Sequence, residues 1–439
     1  MHARHAVAAL PPLRSVLDPA SILILDKLNQ VLFRLDNVSP AAASNSPEKT
    51  LVGASPGFPP LQDDDRSQNP LRFPPARTTA DAILKWPIFE NRYPPDYITD
   101  ALFLAEAPDE GSDADADDCP SPLSSRRRQN SKIRSRVVDE DAIPGLVQRF
   151  IDLVHIKNPI LDVDVIWALT RRVVDDGFVW NMESCLVLIA AALGCVAQPF
   201  GSAVFSAQGI SSLEAHADAL QQGEAYYYMA RRRLGLLDRG IRVTQCHFLV
   251  GVYLMYTMRP LSAWSQFRTA SESYRIYLEC KARYLPTAQQ LDPGKASKRR
   301  LMEQRLYWSC YKSECEMRSE INLPDSLLAD CEYPDMHPSP PDAPSPVPGD
   351  TTDGNIPASW NRSRPAWLRR RHEQSWFYYL TDITLRRIIN RILNIMYVGD
   401  HATWTAEAIP FLAKTAEEFE RQLEEWYVPV FHNVSNIQS

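Results

Sequence analysis

Between Ala142 and about Glu332 the apolar side chains recur at spacings of three and four, the period of α-helices that turn one face toward a core. Pro144 can occupy the first turn of a helix running through GLVQRFIDLVHIKN. That helix should end at Asn158-Pro159, because a residue before proline is pushed out of the helical region. Met182–Ala197 is apolar on nearly every side, the pattern of a fully buried helix. Gln221–Leu237 joins an aromatic face to a basic end at Arg231–Arg233, where cations complement the helix dipole. Val243–Met258 predicts the next helix, stopped by Arg259-Pro260. Beyond it, Trp264, Phe267, Ala270, Ser271, Tyr274, Tyr277 and Leu278 fall on one stripe, the clearest periodicity in the chain. Further helices are expected at Lys298–Ile321 before Pro324, at Glu373–Tyr397 and at Thr405–Tyr427. No alternation of period two persists beyond a few residues, so the expected fold is all-α. The longest apolar run, Cys185–Ala197, is well short of the ~20 residues that span a bilayer, and no membrane association is expected.

Proline places the breaks between these helices. The 439 residues include 35 Pro against 16 Gly, a balance that suits helices divided by extended linkers and disfavours Gly-rich nucleotide-binding turns. Eleven prolines lie in residues 1–80 and eight in 338–366, whereas 160–285 holds only Pro199 and Pro260. The chain therefore divides into a Pro-rich, mostly disordered segment 1–80, an anchoring segment 81–104, a charged linker 105–140, and a helical region 141–439 interrupted by a Pro-rich loop at 338–366. Within the first segment, Leu25, Leu28, Leu32 and Leu35 follow a possible cap at Ser21. Their 3/4 spacing predicts one short amphipathic helix.

Charge alters the picture in one place. The formal net charge is −7, which supplies no basic field for nucleic acid over the whole chain. Glu106–Asp118 nevertheless holds seven acidic residues and no basic one, and is followed by Arg126, Arg127, Arg128, Lys132, Arg134 and Arg136. Opposite charge blocks without apolar spacing are linker composition. The basic block fits a solvated linker, a nuclear localisation signal or a contact to the DNA backbone. Eight cysteines at 119, 185, 195, 246, 280, 310, 315 and 331 include no C-x-x-C pair. Most sit among apolar residues, as reduced buried thiols do.

Catalytic signatures do not appear. The chain contains no G-x-x-x-x-G-K, G-x-G-x-x-G, G-x-S-x-G or H-E-x-x-H, the patterns that cradle phosphate, activate serine or ligate zinc. His155 and His247 lack a second ligand at i+3 or i+4 and read as core or boundary residues. Cys310 and Cys315 are too poorly aligned on a helix to share a metal, and Glu314/Glu316 and Asp162/Asp164 diverge at i,i+2. Tyr226–Tyr228, Trp264, Tyr274 and Tyr277 suit a packed core better than a ligand pocket. No enzyme activity, metal or cofactor is expected.

Four segments, taken in order, carry a resemblance. Arg300, Tyr307, Trp308, Cys310, Tyr311, Lys312, Ser313, Glu314, Leu323, Pro324, Ser326, Tyr333, Pro334 and Pro338 match the most recognisable stretch of the middle homology region of fungal zinc-binuclear-cluster transcription factors. AWSQFRTASESYRIYL (263–278) is similar to the helix preceding it in that family, EAYYYMARRRLGLL to the helix before that, and AILKWPIFENRYPPDYI to an N-terminal anchor. The resemblance spans about Ala82 to Tyr427.

Family members carry six zinc-binding cysteines upstream, whereas here no cysteine precedes Cys119. The resemblance therefore implies a transcriptional regulator in the nucleus, this chain supplying an all-α regulatory and dimerisation domain without its own sequence-specific DNA-binding module. Self-association or a partner regulator, a small-molecule inducer, and DNA contacts only indirectly or through a missing zinc-cluster module are the partners so implied. The family region usually continues beyond LEEWYVPVF, so a shortened tail is also expected. The alternative reading is a helical scaffold or interaction protein that binds no DNA; a helical enzyme ranks below both.

Overall fold

The computed structural model describes residues 73, 77–106, 138–198, 210–235, 240–284, 293–331, 366–397, 405–406 and 408–438. The Leu25–Leu35 stripe, the acidic run after Glu106, Cys119, the basic block Arg126–Arg136, the loop 338–365, and Tyr333, Pro334 and Pro338 lie outside them. Of the described residues, 78% are helical and none is in a strand, in eleven helices, so the described fold is all-α. None of the described helices is long and apolar enough to cross a membrane.

In chain order the helices are α1 (Ala80–Leu84), α2 (Tyr97–Glu106), α3 (Ile143–Phe150), α4 (Val163–Asp176), α5 (Met182–Val196), α6 (Ile210–Leu234), α7 (Ile241–Tyr256), α8 (Pro260–Tyr284), α9 (Pro293–Glu320), α10 (Ala366–Met396) and α11 (Ile409–Gln438). Their starts follow local chemistry. Thr79, Asp162 and Asn181 cap α1, α4 and α5 with side-chain oxygens that accept backbone amides, satisfying donors that have no partner inside the helix. Asp162 and Asp164, divergent as a pair, thus act separately: the first is the cap and the second supplies one of the capped amides. Pro144 and Pro293 sit in first turns, where proline's missing N–H is harmless. Gly177 ends α4 at φ 79°. Met258, at φ 55°, reverses the chain between α7 and α8.

Helix boundaries differ from the periodicity in two ways, and α10, which starts at Ala366, and α11, which runs to Gln438, share the second. The helix from Pro144 does not continue uniformly to Asn158; beyond Phe150 it widens into a π-turn over Ile151–His155. There the His155 ring lies 3.0 Å from the Leu161 carbonyl and 3.2 Å from the Leu161 amide through Nε2, closing the corner into α4. The second difference is length. α6 starts at Ile210, well before Gln221, and α9 at Pro293, because polar helical turns extend past the apolar stripe that announces each helix.

The described residues fall into two compact units, one within 73–331 and 366–386, the other within 387–397 and 405–438. The first is organised around α5, whose residues Ser184–Val196 are all buried. It packs on α3, α6 and α7, while α7 and α8 form an extensive pair and α8 carries α9. Close approach depends on two glycines. A Cβ at Gly194 would lie 2.0 Å from the Leu146 carbonyl oxygen of α3, and one at Gly251 would lie 2.6 Å from the Phe267 ring. In the second unit, Arg391 lies 5.6 Å over the Phe419 ring of α11, a cation–π contact.

Candidate functional site

The stretch of α9 from Tyr307 to Arg318 gathers aromatic and polar side chains within the first unit. Successive helical positions 307, 308, 310, 311, 314 and 315 are buried to 1% exposure or less. A helix fully enclosed on so many sides must find partners for its polar groups. Tyr307, Trp308 and Tyr311 form the apolar side, with Trp308 edge-on to both tyrosines at 5.3 and 5.5 Å. Phe73 stacks on Tyr311 at 5.4 Å, and Arg318 lies over its ring at 5.6 Å.

Glu314 organises the polar side. One carboxylate oxygen accepts the Ser326 backbone amide at 2.5 Å; the other accepts the Ser326 hydroxyl at 2.6 Å and the Ser271 hydroxyl of α8 at 3.3 Å. Arg318 pairs with Asp325 at 2.8 Å, and Arg275 of α8 donates to the Ser326 carbonyl at 2.8 Å. These bonds pull residues 322–326 back against the helix they have just left. They also hold Leu327 at φ 59°, a region non-glycine residues rarely occupy. Burial pushes the Glu314 carboxyl above its ordinary value, although the Ser326 hydroxyl and amide oppose the shift. The same burial, reinforced by the Glu314 charge, drives the Cys310 thiol far upward.

Lys312 faces α10. Its ammonium donates to Asp382 Oδ2 at 2.6 Å and to the Lys157 carbonyl at 3.3 Å, 5.3 Å from the Tyr379 ring centre. Tyr379 donates to the Arg305 carbonyl at 2.5 Å and shares a hydrogen bond with Ser309 at 2.9 Å. About two and a half turns earlier on α9, Glu303 is 3% exposed and accepts Lys281 Nζ at 2.6 Å and the Tyr277 hydroxyl at 2.5 Å. Burial and the Glu303 contact push the Tyr277 phenol up to about 12.

These arrangements immobilise groups; none leaves a nucleophile beside a free base. His247 bonds Gln266 at 2.8 Å, and burial lowers its pKa. Cys310 and Cys315 are separate buried thiols, and Glu316, unlike Glu314, is exposed. Tyr226, Tyr227 and Tyr274 are core side chains, while Trp264, Tyr228 and Tyr277 sit at its margin. Among the described residues no group of three or more His, Cys, Asp or Glu gathers as metal ligands do. Ser271, Lys281, Glu303 and Asp382 are partners that sequence alone does not single out, since each acts through a residue at least 22 positions away. Compared with known proteins, the chain matches no family model, no curated protein and no solved structure.

Proposed function

We propose that this chain is the regulatory and dimerisation body of a fungal-type transcriptional regulator, acting on DNA through a partner or through a separate zinc-cluster module. The observation that supports the reading is the meeting of Tyr307, Trp308, Cys310, Tyr311, Lys312, Glu314, Leu323 and Ser326 in one buried unit. Of these, Lys312 and Glu314 with Ser326 tie α9 to α10, to α8 and to the turn after it. A helical body fastened this way can be biased between packings by a bound inducer.

The test is cellular. The full chain, fluorescently tagged at its native level, is followed by microscopy and by chromatin precipitation in a fungal host. Nuclear accumulation and promoter occupancy that depends on a zinc-cluster partner are expected. A chain excluded from the nucleus, with no promoter enriched, overturns the proposal.

A further inference from the structure

The loop between α4 and α5 meets the last turn of α6 in an exposed corner of the first unit. Val179 and Trp180 are 52% and 54% exposed there, yet the backbone that carries them is pinned. The Val179 amide donates to Ser184 Oγ at 3.1 Å, and its carbonyl accepts Arg233 Nε at 3.0 Å. Arg232 and Arg233 both lie over the Trp180 ring, at 5.3 and 4.7 Å from its centre, and Arg233 also lies 6.0 Å over Phe178. The fold thus presents a solvent-facing tryptophan framed by guanidiniums.

The charge at this corner is not balanced. Arg231 and Arg232 are exposed, and Arg233 is 4% exposed. Among the described residues, none of the three is in an ion pair. Arg233 bonds neutral carbonyls, those of Val179 and Met229. The carboxyl end of α6 supplies the equivalent of about half an elementary negative charge, against three cations. Glu183, in the first turn of α5, is already engaged by Arg172 at 2.5 Å and Arg242 at 2.7 Å. Guanidiniums without a counter-charge beside exposed apolar surface suit an anionic partner that also carries apolar bulk.

We propose that this corner docks a short acidic segment of a partner protein, one in which carboxylates flank a large apolar side chain. The carboxylates pair with Arg232 and its neighbour Arg231, whose planar forks match carboxylate geometry. The apolar side chain covers Val179 and the open part of Trp180. Tryptophan and arginine are residues on which interface energy concentrates, and a pinned backbone leaves little to be ordered on binding. A nucleic-acid strand fits less well. It carries a phosphate every ~3.4 Å and would meet Asp175 and Asp176, both exposed just before this loop. The chain's own acidic run, Glu106–Asp118, has no apolar side chain larger than proline, so it answers the charge but not the apolar surface. The docking surface does not depend on a nuclear role.

The test is fluorescence anisotropy of the full chain with a fluorescein-labelled peptide in which Phe-Leu is flanked on both sides by Asp-Glu. Saturable binding is expected. It should weaken about tenfold or more in R232Q and in V179D, exposed positions at which circular dichroism should show unchanged folding. It should weaken as much when Phe-Leu becomes Ala-Ala, or when the peptide's acids become amides. R92Q, the same charge loss at an exposed arginine outside this loop, should bind as the parent does. Absence of binding, or full affinity in R232Q or for the Ala-Ala peptide, overturns the docking surface. Tighter binding of single-stranded oligo(dT) than of the peptide overturns it too, in favour of a polyanion surface. Binding that emerges only when the acids of Glu106–Asp118 are changed to amides assigns the arginines to the chain's own run and equally overturns a partner.

Discussion

The Glu314 carboxylate accepts both the backbone amide and the hydroxyl of Ser326, twelve residues further on, at 2.5 and 2.6 Å. A carboxylate so buried is a pH-sensitive tie. Because burial raises its folded pKa above the ordinary 4.5, the folded state binds this proton more tightly than the unfolded one. The contribution is therefore most favourable below pH 4.5 and declines as pH rises through the raised folded value, beyond which it is constant. E314Q keeps an acceptor for the Ser326 amide and removes the titration. It should stay within ~1 kcal/mol of the parent at pH 7.5 and lose this component of the pH dependence. E314A strands the amide and opens a void, and should cost roughly 2–4 kcal/mol. Urea unfolding at pH 4.5 and 7.5 measures both. An E314Q chain with the parent's full pH slope would sink the assignment.

Lys312 and Asp382 join α9 to α10 with one partner nearly dry, their side chains being 9% and 30% exposed. Replacing the carboxylate by an amide leaves the ammonium with neutral acceptors alone, the amide oxygen and the Lys157 carbonyl, beside the Tyr379 ring. D382N should thus cost about 1–3 kcal/mol, more than K312M, whose leftover carboxylate can reach water. A double-mutant cycle should give a favourable coupling of about 1 kcal/mol or more. Additive losses would show that the pair does not act as a unit.

Gly194 and Gly223 offer a packing contrast within the α5 neighbourhood. The methyl of G194A would lie 2.0 Å from a backbone oxygen of α3, which cannot swing aside. That of G223A would meet Val196, Tyr253 and the Ala192 carbonyl at 3.1–3.3 Å. G194A should destabilise by roughly 3 kcal/mol or more, and G223A by about 1 kcal/mol or less. Thermal unfolding followed by circular dichroism ranks the two, and equal midpoints would contradict the close approach of α3 and α5.

The basic block is a cellular prediction that follows from the proposed function. Replacing Arg126, Arg127, Arg128, Lys132, Arg134 and Arg136 with glutamine should abolish nuclear accumulation while leaving the helical circular dichroism unchanged. Unaltered nuclear entry would assign the signal elsewhere.

Much of the helical layout is legible in the residues. CLVLIAAALGCV is apolar all round, and only a helix with neighbours on every side can bury such a segment. Met258-Arg259-Pro260 breaks two helical stripes where the chain reverses. The π-turn at Ile151–His155 is not legible, nor is the contact beside it, in which His155 reaches the Leu161 backbone. The polar ties of α9 are hidden as well. Glu314 and Glu316 look alike in sequence, yet one is 1% exposed and the other faces solvent, since i,i+2 positions diverge and only one of them meets α8.

Periodicity, prolines and caps act over a few residues, and they are enough to determine an all-α chain, its most buried helix and most of its breaks. Which thiols, carboxylates and hydroxyls meet is a matter of long-range packing. Ser271 finds Glu314 and Lys281 finds Glu303 only because helices close enough to exclude water must pair whatever polar groups they enclose. Tertiary structure alone makes those choices, because burial turns separately unremarkable residues into neighbours whose charges and protons depend on one another.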